Sequence, residues 1–157
     1  AGLMIDKAGK PKVIEFNCRF GDPETQPVML RLQSSLVLLI EAAFAEALDK
    51  VEAQWDPRPS LGVVLAAGGY PADYAKGDAI KGLEQAAALP GKVFHAGTAL
   101  KDGKIVTSGG RVLCATVMGD TVGAAQLQAY QLAAQIDWNG CFYRKDIGYR
   151  AIAREQQ

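Results

Sequence analysis

A stretch with two prolines near residue 57 divides the chain into two parts with different hydrophobic patterns. Pro57 and Pro59 stand between Trp55 and Ser60. Because proline lacks a backbone N–H and its ring fixes φ, two prolines at this spacing interrupt any helix or central strand and stiffen a connection. The sequence therefore predicts a linker over residues 54–60, a first unit at 1–54 and a second unit at 55–157.

The first unit is predicted to contain a β-hairpin followed by one helix. Strand-like runs over residues 3–6 and 12–20 flank a turn that contains Gly9. Asp22–Pro23 ends the hairpin. Apolar residues then recur at helical spacing within residues 28–50, which predicts an amphipathic helix. The first residues already belong to an apolar strand pattern, so we expect the chain to be part of a longer protein.

The second unit mixes predicted hairpins with helices. Asp102–Gly103 is the dipeptide that favours a tight hairpin turn. A helix over residues 121–136 is capped by Asp120 or Thr121, and its apolar residues, Leu127 included, are predicted to pack in the core. The predicted strands cover residues 61–67, 92–98, 105–107 and 111–118, and an aromatic and basic segment follows at 142–152. Hairpins without repeating βαβ units predict an α+β fold.

Composition and charge exclude several classes of function. The 157 residues include 17 Lys and Arg and 17 Asp and Glu, so the net charge is zero and nucleic acid is not an expected partner. No apolar run approaches the roughly 20 residues that a membrane helix needs, so no membrane partner is expected. Cys18, Cys114 and Cys141 form no CxxC pair, which favours reduced core thiols and a cytoplasmic location.

Alternating polar residues near the end of the predicted second strand are the first candidate site. Glu15, Asn17 and Arg19 would share one face of a strand over residues 12–20, since side chains alternate along a strand. Carboxylate and amide oxygens are ligands that Mg²⁺ accepts, and a guanidinium binds carboxylate or phosphate. A half-solvated strand with ordinary polar residues is the alternative. The opposite face, with Ile14, Phe16, Cys18 and Phe20, is predicted to be core.

Five blocks of sequence resemble the glycinamide ribonucleotide synthetase family, in the order of that family and over nearly the whole chain. The blocks are Arg19-Phe20-Gly21-Asp22-Pro23-Glu24-Thr25-Gln26, Ala67-Gly68-Gly69-Tyr70-Pro71, Phe94-His95-Ala96-Gly97-Thr98, Gly109-Gly110-Arg111-Val112-Leu113 and Arg144-Lys145-Asp146-Ile147-Gly148-Tyr149-Arg150-Ala151. The resemblance implies the C-terminal part of an ATP-grasp domain, followed by a small α+β C-terminal domain with antiparallel strands.

The resemblance also implies a reaction. The family joins glycine to 5-phosphoribosylamine through a glycyl phosphate intermediate, with ATP as co-substrate, and gives glycinamide ribonucleotide, ADP and phosphate in purine biosynthesis. The expected partners are therefore glycine, phosphoribosylamine, ATP and the missing N-terminal part of the same enzyme. We expect the chain to be inactive alone, because the part that covers the triphosphate is absent from it.

Site residues follow by matching positions in the family pattern. Glu15 and Asn17 would hold Mg²⁺ or Mn²⁺ against the ATP phosphates, and Ile14 would contact the adenine. Arg19 would bind the glycine carboxylate and the charge of the acyl phosphate. The next residues along the same block, Gly21 and Asp22, would bind the glycine substrate or simply turn the chain.

Three other features leave alternatives open. His95 is expected to be a core residue with one hydrogen bond, although a catalytic base is the alternative. Gly109–Arg111 is either a phosphate-binding nest or a hairpin turn. Arg144, Lys145 and Arg150 attract a ribose phosphate or form a surface ion-pair cluster.

Two rival functions remain open beside the family's own. One is a non-catalytic module that binds a small ligand. The other is a different ATP-grasp carboxylate–amine ligase.

Overall fold

The computed structural model describes residues 2–16 and 18–156. Within these residues short strands and helices alternate without repeating βαβ units. In chain order the elements are β1 (Gly2–Ile5), β2 (Pro11–Glu15), α1 (Thr25–Arg31), α2 (Leu36–Phe44), a 3₁₀ turn (Leu48–Lys50), β3 (Ser60–Ala66), α3 (Leu83–Ala87), β4 (Lys92–His95), β5 (Thr98–Lys101), β6 (Lys104–Thr107), β7 (Arg111–Met118), α4 (Val122–Ala133) and α5 (Tyr149–Glu155). None of the helices in these ranges has the length and apolarity that a bilayer crossing requires.

A three-stranded antiparallel sheet, in the order β3-β7-β4, forms the centre of the structure. Leu65 pairs with Leu113 on one side of β7, and Phe94 pairs with Cys114 on the other. Six consecutive residues of β7, 112–117, are buried. Uninterrupted burial of this kind is expected for a strand that is covered on both faces.

Helices cover the two faces of this sheet. Leu61, Val63 and Leu65 of β3 belong to the core cluster that also contains residues of α4. The intervening Gly62 faces the other way, and Pro27 of α1 lies beside it, with Cδ 3.5 Å from where a Cβ would stand. The hydrophobic core therefore lies between the sheet and α4, and α1 packs on the opposite face.

The single helix predicted within residues 28–50 is wrong, because the structure has two helices with a break between them. The side chain of Ser35 caps α2 by accepting a hydrogen bond from the Leu38 N–H at 3.4 Å. At the break, Ser34 Oγ accepts a hydrogen bond from the Gln54 N–H at 2.7 Å. Serine side chains that bond to backbone groups compete with helical hydrogen bonds, so two adjacent serines end one helix and start another.

The second strand is also shorter than predicted. It ends at Glu15 and does not reach residue 20, and it pairs with β1 in a two-stranded hairpin. The apolar face predicted to be core is exposed: Ile14 is 63% accessible, Phe16 81% and Phe20 53%, and Cys18 is exposed too. Within the described part of the chain only β1 packs extensively against β2, so nothing there covers this face.

The proline-rich stretch is held by ion pairing and backbone hydrogen bonds. Asp56 is buried, and its carboxylate accepts hydrogen bonds from Arg58 Nε at 3.0 Å and Nη2 at 2.8 Å. These bonds lower the pKa of Asp56 to about 2. Arg31 of α1 donates through Nε to the Asp56 carbonyl at 3.0 Å, so the predicted linker is tied to α1.

The predicted hairpins and helix of the second unit are largely confirmed. β5 and β6 pair across Asp102–Gly103, and Thr121 caps α4 by accepting from the Ala124 N–H at 3.0 Å. The strand predicted at 92–98 is instead two strands, because Gly97 turns away and donates to the Val112 carbonyl at 3.1 Å. Leu127 of α4, predicted to be core, is exposed.

Replacement of Leu132 by alanine is expected to destabilise the chain far more than the same change at Leu127. Both leucines lie on α4, but Leu132 is 1% exposed and Leu127 is 62% exposed. A core Leu→Ala change removes buried surface and leaves a cavity, at a cost of about 2–5 kcal/mol. Urea unfolding of Leu132→Ala and Leu127→Ala measures the difference. Equal destabilisation by the two variants would show that α4 does not pack as described.

Candidate functional site

Residues 18–23, here called the 18–23 segment, form a turn between β2 and α1. Arg19 is exposed and its Nη1 donates to the carbonyl of Phe20 at 2.9 Å. The carbonyl of Gly21 accepts from the N–H of Thr25 at 3.1 Å and from its hydroxyl. The structure therefore places Arg19, Gly21 and Asp22 in one turn at the start of α1.

An ion pair connects this turn to the central sheet. Arg111, the first residue of β7, donates through Nη2 to Oδ2 of Asp22 at 2.7 Å, across 89 positions of sequence. The guanidinium of Arg111 also lies over the ring of Tyr70, 5.8 Å from its centroid. The pair thus joins a residue predicted to bind substrate to the second unit of the chain.

A cleft of about 380 Å³ opens beside this ion pair. Its floor is the face of β3 opposite the core, including Val64, and its walls come from both units of the chain. The walls include Pro23, Tyr70, Arg111 and Phe142. A cleft of this size and mixed lining has room for a small molecule.

The metal ligands predicted from the sequence are only partly described. Glu15 is the last residue of β2, with its Cα opposite that of Gly2, and its side chain is exposed. Asn17 lies outside the described residues. Within the described ranges no three His, Cys, Asp or Glu side chains gather as a metal cluster. Mg²⁺ usually keeps several waters and binds one or two protein carboxylates plus substrate phosphates, so a terminal Glu15 fits this chemistry.

Glu15 and Arg19 do not lie on one strand face, as the alternation of polar residues had predicted. β2 ends at Glu15, and Arg19 lies in a bend beyond it. Ile14, predicted to contact adenine, points from the same short strand and is exposed. Arg19, Gly21 and Asp22 therefore lie near one another because they belong to the same short turn, and strand alternation plays no part.

Sequence reasoning missed the role of Arg111 and Tyr70 beside Asp22. The Gly109–Arg111 stretch stood out in the sequence, but nothing in its spacing indicates a partner 89 residues away. Gly110 packs against the rings of Tyr70 and Tyr74, where a Cβ would collide with Tyr70. That close approach is the structural reason for a glycine before Arg111.

Three other residues that the sequence singled out have a clear placement. His95, expected in the core, is exposed, and its Nδ1 lies 3.0 Å from Thr98 Oγ1. Arg144 forms an ion pair with Asp146 at 2.7 Å, as the surface interpretation expects. Arg150 donates through Nε to the hydroxyl of Tyr149 at 2.9 Å.

Comparison with known families assigns both parts of the chain. Residues 60–150, more than half of the sequence, match the phosphoribosylglycinamide synthetase C domain. Residues 1–25 match the ATP-grasp (A) domain of the same synthetase. The chain belongs to the phosphoribosylglycinamide synthetase family. The predicted family and the predicted α+β class, with ATP-grasp and C-domain parts, are thereby confirmed.

Individual members of this family are similar over almost the whole chain. A phosphoribosylamine–glycine ligase from Pseudomonas putida is 82% identical over 99% of the chain, and one from Escherichia coli is 64% identical over 99%. The crystal structure of the Thermotoga maritima phosphoribosylamine–glycine ligase superposes on 92% of the chain with a TM-score of 0.65 at 38% identity. The chain spans about a third of these relatives: 36% of the first, 37% of the second and 35% of the third.

Proposed function

We propose that the protein to which this chain belongs is a phosphoribosylamine–glycine ligase. The observation that carries the proposal is the 82% identity, over 99% of the chain, to a relative of that name. The geometry supports it, because the guanidinium of Arg111, from β7, and the carboxylate of Asp22, from the 18–23 segment, stand together beside a cleft that can admit a small molecule. Glycine carries a negatively charged carboxylate, which a guanidinium can bind, and a positively charged ammonium group, which a carboxylate can bind.

The reaction has two steps with a shared intermediate. An oxygen of the glycine carboxylate attacks the γ-phosphorus of ATP, ADP leaves, and glycyl phosphate forms. The amine nitrogen of 5-phosphoribosylamine then attacks the acyl carbon, phosphate leaves, and the nitrogen loses a proton to give glycinamide ribonucleotide. In phosphoryl transfer the protein acts mainly by positioning and by electrostatic stabilisation.

Arg19 is the residue that we assign to the carboxylate of glycine. Its guanidinium is planar and offers paired N–H donors, which match a carboxylate or an acyl phosphate. Arg19 is exposed, and among the described residues its Nη1 alone is bonded, to the backbone carbonyl of Phe20. The remaining donors are thus available to a substrate.

Gly21 and Asp22 are assigned to the rest of the glycine molecule. Asp22 binds Arg111 through Oδ2, yet 58% of its side chain remains exposed. A carboxylate accepts several hydrogen bonds, so Asp22 can serve Arg111 and the glycine ammonium together. Gly21 forms the close turn that brings Arg19 and Asp22 into place.

A divalent cation, Mg²⁺ or Mn²⁺, would be held by Glu15 and Asn17. When bound, such an ion neutralises the negative charge of the ATP phosphates. Ile14, which is exposed on the same strand, is assigned to the adenine ring. Glu15 and Ile14 point to opposite faces of β2, so the adenine assignment requires the ATP to reach around the strand end.

The domain arrangement and the location belong to the same proposal. Residues 1–54 would be the C-terminal segment of the ATP-grasp domain and residues 55–157 the small C-terminal domain, a division supported by the separate matches at 1–25 and 60–150. An N-terminal part of the same enzyme would complete the ATP site. The three cysteines are free thiols, which suits a cytoplasmic enzyme.

The direct test is ADP release by the purified full-length protein. With Mg²⁺ and ATP present, steady-state ADP release is expected only when glycine and 5-phosphoribosylamine are both supplied, because without the amine the reaction stops at glycyl phosphate after one turnover. Release that follows another carboxylic acid would favour a different ATP-grasp ligase. Binding of a small ligand without ADP release would favour a non-catalytic module.

Glu15→Gln in the full-length enzyme is expected to lower kcat by roughly 100-fold, because the change removes a charge from the group that faces the metal and phosphates. The melting temperature should change little, since Glu15 is exposed. Steady-state kinetics at saturating Mg²⁺ measure the effect.

Glu41→Gln, which removes an exposed carboxylate from α2, is the matched control for Glu15→Gln. It should retain wild-type kcat. Equal kcat for Glu15→Gln and Glu41→Gln would refute the role of Glu15.

Arg19→Lys is expected to lower kcat/KM for glycine by about ten- to a hundredfold, since the loss of a charge-assisted hydrogen bond costs about 1.5–3 kcal/mol. Lysine keeps the charge but not the planar fork. The values of KM for ATP and of the melting temperature should stay close to wild type.

Arg31→Lys provides the control for Arg19→Lys, because the guanidinium of Arg31 donates to the backbone carbonyl of Asp56 in the proline-rich stretch. It should lower stability without a selective effect on glycine. An unchanged glycine dependence in Arg19→Lys would remove Arg19 from the glycine site.

A further inference from the structure

We propose that Arg111 is a positioning residue for the ligase: through its ion pair with Asp22 it fixes the 18–23 segment against the sheet and so directs Arg19 toward the glycine carboxylate. The proposal rests on the proposed function. It assigns a role to a residue of the C domain, 89 positions away from the segment that it holds.

The ion pair is the main polar link between the 18–23 segment and the sheet. Among the described residues, the other hydrogen bonds of this segment stay within residues 19–25: Arg19 bonds to Phe20, and Thr25 bonds to Gly21. The segment is also largely exposed, apart from a half-buried Gly21. Local bonds shape the turn, but they do not fix its distance from β7.

Arg111 is itself well anchored. It pairs with Ala66 in the register of β3 and β7, and the next residue, Val112, is fully buried. Its guanidinium lies over Tyr70, at 5.8 Å from the ring centroid, a cation–π contact that restrains the side chain. Gly110 packs against the same ring. The cation that holds Asp22 is thus attached to the most buried strand of the fold.

The charge of Arg111 has a second consequence for the substrate. Asp22 is three positions from Arg19, the residue assigned to the glycine carboxylate. An unpaired Asp22 carboxylate would repel that carboxylate, because like charges at short range disfavour each other. Arg111 neutralises Asp22 at a distance of 2.7 Å. Loss of Arg111 therefore removes a tether and leaves Asp22 with a charge that attracts the glycine ammonium but repels the carboxylate assigned to Arg19.

The test is steady-state kinetics of full-length Arg111→Gln with glycine and ATP varied independently. KM for glycine is expected to rise about tenfold, since a displacement of about 1 Å in a positioned group can cost up to ~100-fold. KM for ATP should stay within about twofold of wild type. Arg111→Lys, which keeps the charge near Asp22, should give a glycine KM between those of the wild type and Arg111→Gln.

Arg58→Gln is the matched control, because it breaks another Arg–Asp ion pair, with Asp56 at 2.8 Å, away from the 18–23 segment. It should lower the melting temperature and leave KM for glycine unchanged. This control separates a loss of stability from a loss of substrate positioning.

A selective rise in glycine KM for Arg111→Gln, partly restored in Arg111→Lys, supports the proposal. An unchanged glycine KM, or an equal rise for glycine and ATP with a lower melting temperature, overturns it. Absence of ligase turnover in the wild-type enzyme contradicts the proposed function instead, independently of Arg111.

Discussion

Strand β7 has neighbours on both edges and on both faces, and the other features of the second unit depend on this position. It pairs with β3 and β4, and residues 112–117 are buried between the core under α4 and the face on which α1 packs. A strand enclosed in this way has little freedom to shift, because its side chains are close-packed against neighbours on both faces. Arg111 stands at the start of this strand, so its guanidinium occupies a fixed position at the edge of the core.

The ion pair with Asp22 extends this rigidity to the exposed 18–23 segment. Surface ion pairs contribute little to stability, typically up to about 1 kcal/mol, so this pair matters less for folding than for geometry. It also sets one wall of the cleft that contains Pro23, Tyr70 and Phe142. The ion pair thus joins the 18–23 segment, which we propose binds glycine, to the central sheet.

The sequence was sufficient to predict elements whose hydrophobic pattern is decided locally. β3, β6, β7, α4 and the Asp102–Gly103 turn follow from apolar patterning, helical spacing and turn chemistry. The prediction of one helix within residues 28–50 was wrong, because the capping of α2 by Ser35 outweighs the apolar spacing that favours a continuous helix. The prediction that one face of β2 lies in the core was wrong. Alternation shows that a face is apolar, but it does not show whether another element covers that face.

The candidate site likewise combines features that the local sequence predicts with a contact that it does not predict. Arg19, Gly21 and Asp22 are neighbours in sequence, so their proximity could be predicted from one block of residues. The contact between Asp22 and Arg111 depends on how α1 and the preceding turn pack on β3 and β7. No local pattern encodes a contact of that kind, and a family resemblance gives the residues without giving the pairing.

We propose that the 18–23 segment, held by Arg111, binds glycine. A crystal structure of the full-length protein with glycine, Mg²⁺ and a non-hydrolysable ATP analogue tests it most directly. We expect the glycine carboxylate at about 2.7–2.9 Å from guanidinium nitrogens of Arg19, with the Asp22–Arg111 pair intact. Glycine bound away from the 18–23 segment, with Arg19 still turned to solvent, would contradict the account.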